Sequence, residues 1–558
     1  MEGPGTSAAP APGMVCPCTE PVGKSGKPCA KSHCLPFASK LDQAAHTVRK
    51  PFFPEESFDF VWSPASEISV GCPIHEMPAA GFGGSRCLEI KQHLPPPTSC
   101  PPLCFRTASC LPSASRRLMP IERLPALHGL DRTSLVAVIR KSLPGLTGEP
   151  SRDGAFVGGT AAAAARLAAI DPAAYGRSRN FLDGAVTGLS PWIRHGVLSL
   201  AEVRDHALMR VEQPEDAEKL VSELGWRDYW RRVHARLGDA IGRDLEPPAA
   251  MPRRPALDRM PEDVLSASTG MPCIDAFVRQ LHETGWLHNH ARMWLASWLV
   301  HVRGVRWQAG AEWFLEHLLD GDPASNHLSW QWVAGTFSAK PYLFNRENLE
   351  RYTAGVHCRG CPLLGRCDVE GSYEELTARL FHATPSVEGR PSLKIPAAPA
   401  WQVPSPAPSG GPTLVWLTLD AASESGPAAA AFPGSPKIFV LDPAWLEAEK
   451  PTLKRLVFLF ECLAEIPNLS VVLGDPGEAV AAEAESVGAG RVAVADTPCP
   501  WTRARAEAIG RKIHVEVVPW PQFVDDRKVD DLTRFSRYWR KVEKSAMAPA
   551  AGRSSRPA

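Results

Sequence analysis

The stretches TGWLHNHARMWLASW (Thr284–Trp298) and RWQAGAEWFLEHLLDGDPASNHLSWQW (Arg306–Trp332) decide the fold class. Their apolar residues recur at three- and four-residue spacing, the mark of amphipathic helices. Within them Trp286, Trp294, Trp298, Trp307, Trp313, Trp330 and Trp332 stand among Asn289, Arg292, Asp320, Asp322 and Asn326. An ordinary helical core uses Leu and Ala as filler. Indole is bulky, and its N–H needs a partner once buried. So many indoles beside carboxylates and amides point to a site that stacks flat rings or passes electrons.

Outward from this stretch the same periodicity continues through LVAVIRKSL, TAAAAARLAAI, AEVRDHALMRV, EDAEKLVSELGWRDYWRRVHARL and CIDAFVRQLHETGWL. Asp, Ser or Thr near the starts and Gly near the ends punctuate these segments. They predict a helical domain over residues 119–390. The run IPAAPAWQVPSPAPSGGP (Ile395–Pro412) predicts a Pro-rich linker over 391–411, extended rather than packed. Beyond it the period switches. TLVWLTLD, PKIFVLD, LSVVLGD, RVAVAD and IHVEVVPW are short strand-like runs, with Ala-, Glu- and Leu-rich helices between the first four. Alternating strand and helix predicts a smaller α/β domain with a parallel sheet over 412–545, then a tail over 546–558. The fold class is therefore multidomain, all-α followed by α/β. Asp420, Asp442 and Asp475 fall at strand carboxyl ends, where such sheets bind ligands. No GxGxxG or P-loop is present.

At 558 residues the chain is too long for one core, and Lys+Arg and Asp+Glu both number 61. Net charge thus advertises no polyanion partner, and a DNA contact must come from a local patch such as Arg227–Arg254. No apolar run reaches membrane-spanning length and the N-terminus lacks a signal-peptide pattern, so a cytoplasmic location is expected; the expected assembly is a monomer. Nine of the fifteen cysteines (Cys16, Cys18, Cys29, Cys34, Cys72, Cys87, Cys100, Cys104 and Cys110) precede residue 111, in a Pro-, Ser- and Gly-rich segment without periodicity. Disorder over 1–118, or a true start at Met119, is the expectation; a metal-binding or redox extension is the alternative.

Four blocks, RNFLDGAVTGLSPWIRHGVLS (Arg179–Ser199), ELGWRDYW (Glu223–Trp230), TGWLHNHARM and DGDPASNHLSWQW, resemble the helical flavin domain of the DNA photolyase and cryptochrome family in order and near-family spacing. The resemblance covers about residues 150–355. It implies FAD bound in a U shape. Tyr175, Thr187, Leu189 and Ser190 would hold the diphosphate end, with Arg227 and Asn289 also cofactor contacts. Arg292 and Asp320 match the pair beside the flavin, Asp322 the carboxylate near its pyrimidine edge, and Asn326 the amide facing N5. Glu223, Trp226, Asn289, Met293 and Trp332 match the contacts to a flipped pyrimidine dimer, two indoles forming a V around the bases. Photolyases of the (6-4) type have His where Asn289 and Met293 stand. Trp330 and Trp307 match the inner two tryptophans of the family's electron relay. The outer position, near Arg253–Leu257, has no aromatic, and Trp294 and Trp298 are either its replacements or core. The sheet domain resembles the family's antenna-pigment domain, although the family places it first and its polar loop is reduced here to AASESGPA.

Cys358, Cys361 and Cys367, in CRGCPLLGRC, have the spacing of a zinc or iron–sulfur half-site. A fourth ligand must come from elsewhere, with His357 a candidate. The first functional reading is light-driven repair of cyclobutane pyrimidine dimers with reduced FAD. The second is a cryptochrome-like photoreceptor, and the third a flavoprotein without light function.

Overall fold

The computed structural model describes residues 121–146, 148–149, 156–383, 392–395 and 400–548. The expectation of disorder over 1–118, with its nine cysteines, lies outside the described residues.

Each of the five strand-like runs forms a strand. β1 (Glu122–Arg123), β2 (Thr413–Leu417), β3 (Lys437–Leu441), β4 (Leu469–Leu473), β5 (Arg491–Ala495) and β6 (His514–Val518) make one sheet. Their order across it is β1-β4-β3-β2-β5-β6. All neighbours are parallel except β1, which runs antiparallel to β4. Side chains alternate between faces with period two, and both faces are dry. Val415, Leu417, Phe439 and Leu441 enter one apolar cluster with the helices Arg132–Ser142 and Leu453–Ala464. Leu414, Trp416, Ile438 and Val440 enter another with the helices Pro476–Ser486 and Pro500–Gly510.

The helical region holds two further clusters. Trp192, Leu220, Leu224, Tyr229 and Trp230 anchor the first. Trp294, Trp298, Trp307, Trp313 and Trp330 fill the second. Between helices and sheet lies the helix Leu453–Ala464, whose every residue is buried. One side packs on the sheet; the other sends Phe458 and Cys462 into the first helical cluster. Its Lys454 Nζ donates to His282 O at 2.5 Å, and Arg455 donates to the carbonyls of Leu315 and Gly321.

Three segments depart from the expected partition. β1 and the helix Arg132–Ser142, expected with the helical domain, join the sheet, because Leu135 and Ile139 find their apolar partners there. The helix Phe535–Ala546, expected with the sheet, packs on Glu215–Leu237 through Tyr538, Val542 and Ala546. The described part of the linker is extended and largely exposed, with two residues anchored: Val403 is buried in the second sheet cluster, and Ile395 O accepts from Leu532 N at 2.9 Å. Proline fixes the backbone angle there without preventing burial of neighbouring side chains.

Gly196 lets the two layers meet. Its φ is +67°, and a Cβ there would lie 2.2 Å from Asp420 O. Among the described residues no helix is long and apolar enough to cross a membrane.

Phe460 is fully buried in the helix Leu453–Ala464. Phe460→Ala is expected to destabilise the chain by about 3–5 kcal/mol, as for other aromatic-to-Ala core changes. Urea unfolding followed by tryptophan fluorescence measures it. An unchanged midpoint would mean this helix does not join the layers.

Candidate active site

Three helix starts and one long helix bring the site together. DGDPASN starts the helix Pro323–Ala334: Asp322 is the N-cap, accepting from Ser325 N, and Pro323 occupies the first turn. Asn326 follows on that turn. His288 caps the helix Asn289–Ser297 by accepting from His290 N at 3.1 Å, which sets Asn289, Arg292 and Met293 on its first turns. Glu223, Arg227 and Arg231 recur every four residues along Glu215–Leu237, so they share one face.

The Arg292 guanidinium donates to Asp320 Oδ2 at 2.9 Å and to Leu287 O at 2.9 Å. Ser190 lies beside Asp320. Burial would raise the Asp320 carboxyl, but Arg292, Ser190 and Arg227 outweigh it and hold it below the usual carboxylate value. Burial likewise opposes ionisation of Asp322, and the guanidiniums of Arg227, Arg194 and Arg231 reverse that effect. Arg227 Nη2 is 3.7 Å from Asp322 Oδ2.

Asn326 Nδ2 donates to Ala311 O at 2.8 Å, which leaves Oδ1 as its acceptor. Asn289 Nδ2 contacts Met293 Sδ at 3.4 Å. Thr187 O accepts from Arg166 Nε at 2.9 Å, and Thr187 Oγ1 from Leu189 N. Gly188 between them has φ +63°, and a Cβ would come within 2.2 Å of Arg166 Nη2. The helix that Ser190 opens runs only to Arg194. Its local N–H groups and hydroxyls, rather than a long helix dipole, are what this loop offers an anion.

Glu223 pairs with Arg179 at 3.2 Å and Lys219 at 4.0 Å. Tyr175, expected at the diphosphate, sits beside Glu223 and Arg179, and its phenol is pushed up by burial and the Glu223 charge. Trp226 stacks on Phe535 with centroids 3.8 Å apart and planes at 13°. Trp332 meets Tyr342 at 5.5 Å. Trp330 is buried against Phe314, and Trp307 Nε1 donates to Asp244 Oδ1 at 2.7 Å. Trp294 and Trp298 are buried in the core, donating to Asn348 and Asp368.

Sequence reasoning missed three participants, Arg179, Arg194 and Arg231, and gave a fourth, Asp420, another role. Arg179 fixes Glu223. Buried Asp420 bonds buried Arg194, lies 3.7 Å from the half-buried Arg231 and accepts from Thr497 Oγ1 at 2.5 Å. Asp420 was expected at a ligand crevice with Asp442 and Asp475; it faces these arginines instead. Asp442 accepts from Trp501 Nε1, Asp475 caps Pro476–Ser486, and Arg505 lies 3.5 Å from each. The only sequence signal for Asp420 was its place at a strand end.

The residues fit a flavin nucleotide. Arg227 Nη2 and Asp320 Oδ1 are buried without a hydrogen-bond partner, next to the Thr187–Ser190 loop residue Ser190 and the Asn326 helix. A ligand carrying anionic and amide groups supplies what these atoms lack. Cys358, Cys361 and Cys367 lie elsewhere, around a separate cavity with His357.

Residues 220–353 match the family model described as the FAD binding domain of DNA photolyase. A deoxyribodipyrimidine photo-lyase of Streptomyces griseus is 41% identical over 158 residues, 27% of this chain and 32% of that protein. One from Thermus thermophilus is 34% identical over 277 residues, 47% of this chain and 63% of that protein. A chloroplastic/mitochondrial cryptochrome DASH of Ostreococcus tauri is 35% identical over 191 residues, 32% of this chain and 34% of that protein. The chain spans about a third of the length of the first curated relatives it matches.

Burial holds His288 down at about 4 and His290 at about 3, against an ordinary 6.5. Between those limits the unfolded chain binds protons that the folded one refuses, so stability falls as pH drops from 6.5 towards 4. Melting temperatures across that range should decline less steeply in His290→Asn. Parallel curves for parent and variant would show that His290 is not buried neutral.

Proposed function

We propose, from the premise that this chain carries the FAD-binding domain of the DNA photolyase family, that it uses light and reduced FAD to repair cyclobutane pyrimidine dimers in DNA. The observation that carries this reading is that two buried atoms, Asp320 Oδ1 and Arg227 Nη2, make no hydrogen bond, although Arg227 Nη2 stands 3.7 Å from Asp322 Oδ2. Each such atom costs about 1–3 kcal/mol when left unpaired. Thr187, Leu189, Ser190 and Arg227 would hold the phosphates, and Arg292, Asp320, Asp322, Asn289 and Asn326 the ring system. When bound, the reduced flavin supplies an excited-state electron to the dimer and receives it back after the ring opens.

The chain's own groups orient and insulate. Asp320 fixes Arg292, so a rigid guanidinium offsets negative charge at the ring. Asn326, its Nδ2 committed to Ala311, presents Oδ1 as an acceptor. Glu223, anchored by Arg179, offers its carboxylate to the base edges, and Trp226 and Trp332 supply stacking surface. Phe535 covers one face of Trp226, so the dimer would use the other face or displace Phe535. Asn289 and Met293 carry no proton to give, and the adjacent His288 and His290 are neutral at pH 7. Breaking a cyclobutane ring needs no such proton; moving a hydroxyl between bases in a (6-4) lesion does. Trp330 and Trp307 form the inner part of a reducing relay. The strand-end carboxylates Asp442 and Asp475 cap the helices that follow them, and Arg505 lies 3.5 Å from each.

The photoreceptor reading is favoured by one feature: Arg253–Leu257, where the family's outer relay member stands, has no aromatic. Illuminating the reduced protein with matched oligonucleotides carrying each lesion, followed by chromatography, tests both. Turnover of the cyclobutane dimer alone is expected. Turnover of the (6-4) lesion sinks the substrate assignment, and turnover of neither, with FAD bound and photoreducible, favours the photoreceptor.

Glu223→Ala and Trp332→Ala are expected to keep FAD and weaken repair, the indole loss by about 1–3 kcal/mol of base stacking. Flavin content and repair rate are read side by side. Parallel loss of both would assign these residues a structural role.

A further inference from the structure

Trp226 is half-buried, and its indole lies nearly parallel to the Phe535 ring, with centroids 3.8 Å apart and planes at 13°. Phe535 opens the helix Phe535–Ala546 and shares one face of it with Trp539, four residues on. The Trp539 ring continues the stack at 5.8 Å and 15° from Phe535. Room for it comes from Gly225, where a Cβ would lie 2.4 Å from Trp539 Cζ3. A glycine and a tryptophan side by side on the helix Glu215–Leu237 thus receive two rings from the helix Phe535–Ala546, and Phe535 touches both indoles.

Phe535 is firmly held. Arg534 Nη2 donates to both carboxylate oxygens of buried Glu246 at 2.7 Å. Tyr229 Oη donates to Leu532 O at 2.9 Å, and Tyr538 Oη donates to Asp228. Tyr538, Val542 and Ala546 are buried in the first helical cluster. Asp228 and Tyr229 belong to the same helix as Trp226, so these bonds fix Phe535 to the support of the indole it covers. A ring anchored in this way is a backing for Trp226 and not a removable stand-in for a base. A ligand ring that stacks on Trp226 must therefore do so on the face turned away from Phe535.

We propose that Phe535 is a positioning residue for damaged DNA: it fixes the plane of Trp226, so that one base of a flipped pyrimidine dimer stacks on an indole already in place. Trp539 holds Phe535 in turn. An unsupported indole turns about its side-chain bonds, and a base that stacks on it must first stop that motion, which lowers affinity. Offset parallel rings also attract one another beyond their buried area, which keeps the pair together. The inference rests on the repair reading above. It adds to the site a side chain from beyond the sheet, outside the segment that carries Glu223, Trp226 and Trp332.

The test is a titration of the full chain carrying FAD, under red light, with a red-fluorescent oligonucleotide holding one thymine cyclobutane dimer and with its undamaged counterpart. The variants are Phe535→Leu, Phe535→Tyr, Trp226→Leu and the double variant Phe535→Leu with Trp226→Leu. Phe535→Leu should weaken dimer binding by about three- to tenfold, with FAD content and affinity for the undamaged oligonucleotide unchanged. Phe535→Tyr, which keeps the ring, should bind like the parent. Because Phe535 acts through Trp226, adding Phe535→Leu to Trp226→Leu should cost less than about a further twofold. Tighter dimer binding by Phe535→Leu would show that Phe535 sits where a base belongs, and overturns the proposal. So does an unchanged affinity, an equal loss in both backgrounds, or loss of FAD from Phe535→Leu, which would assign the ring to the fold alone. A parent that binds both oligonucleotides equally overturns the repair reading, and this inference with it.

Discussion

Asp420 enters a cluster of guanidiniums, and the arrangement of helices against sheet depends on that contact. Beyond β2 the Asp420 backbone carbonyl lies over Gly196 and the Asp420 carboxylate meets Arg194 and Arg231, while Arg194 also holds Gly321 O at 2.7 Å. Asp322 stands in the same field of positive charge. Two buried carboxylates would repel each other, and two buried arginines likewise; interleaved, each sign screens the other. Removing one member of such a buried pair typically costs about 3–5 kcal/mol, because the survivor is left charged without water. The sheet domain therefore completes the charge balance beneath the candidate flavin residues.

This links local rules to the site. Asp322 is at once a helix cap and the partner of Arg227, and Arg292 is both a helix residue and the clamp on Asp320. Because each group is fixed by its neighbours, the unpartnered atoms of Arg227 and Asp320 are held in place rather than free to find one another. A preorganised polar wall of this kind binds a charged ligand without first rearranging.

The strands were legible because both faces of the sheet are buried, which makes each run almost wholly apolar and short. The site helices were legible from Asp322-Pro323 and from the indole spacing. What escaped notice depended on distant partners. β1 has two residues and no period to detect. The helix Phe535–Ala546 has a clear apolar face, but nothing in that face says whether it covers strands or Glu215–Leu237. Trp294 and Trp298 read as relay or as filler, and their burial in the cluster that also holds Trp307 and Trp330 suits either. Asp420 carries no local sign of which charges await it.

The crossed termini of the described fold have a consequence for biosynthesis. The sheet takes its edge strand and a covering helix from residues preceding the helical layer, and the helical layer takes its last helix from residues following the sheet. The sheet layer can close once β6 has emerged, but the first helical cluster stays incomplete while the ribosome still holds Phe535–Ala546. The helical face of the Leu453–Ala464 helix must therefore wait for the last helix before that layer closes. Such a chain depends on holding chaperones during its own translation more than one whose domains are finished in sequence.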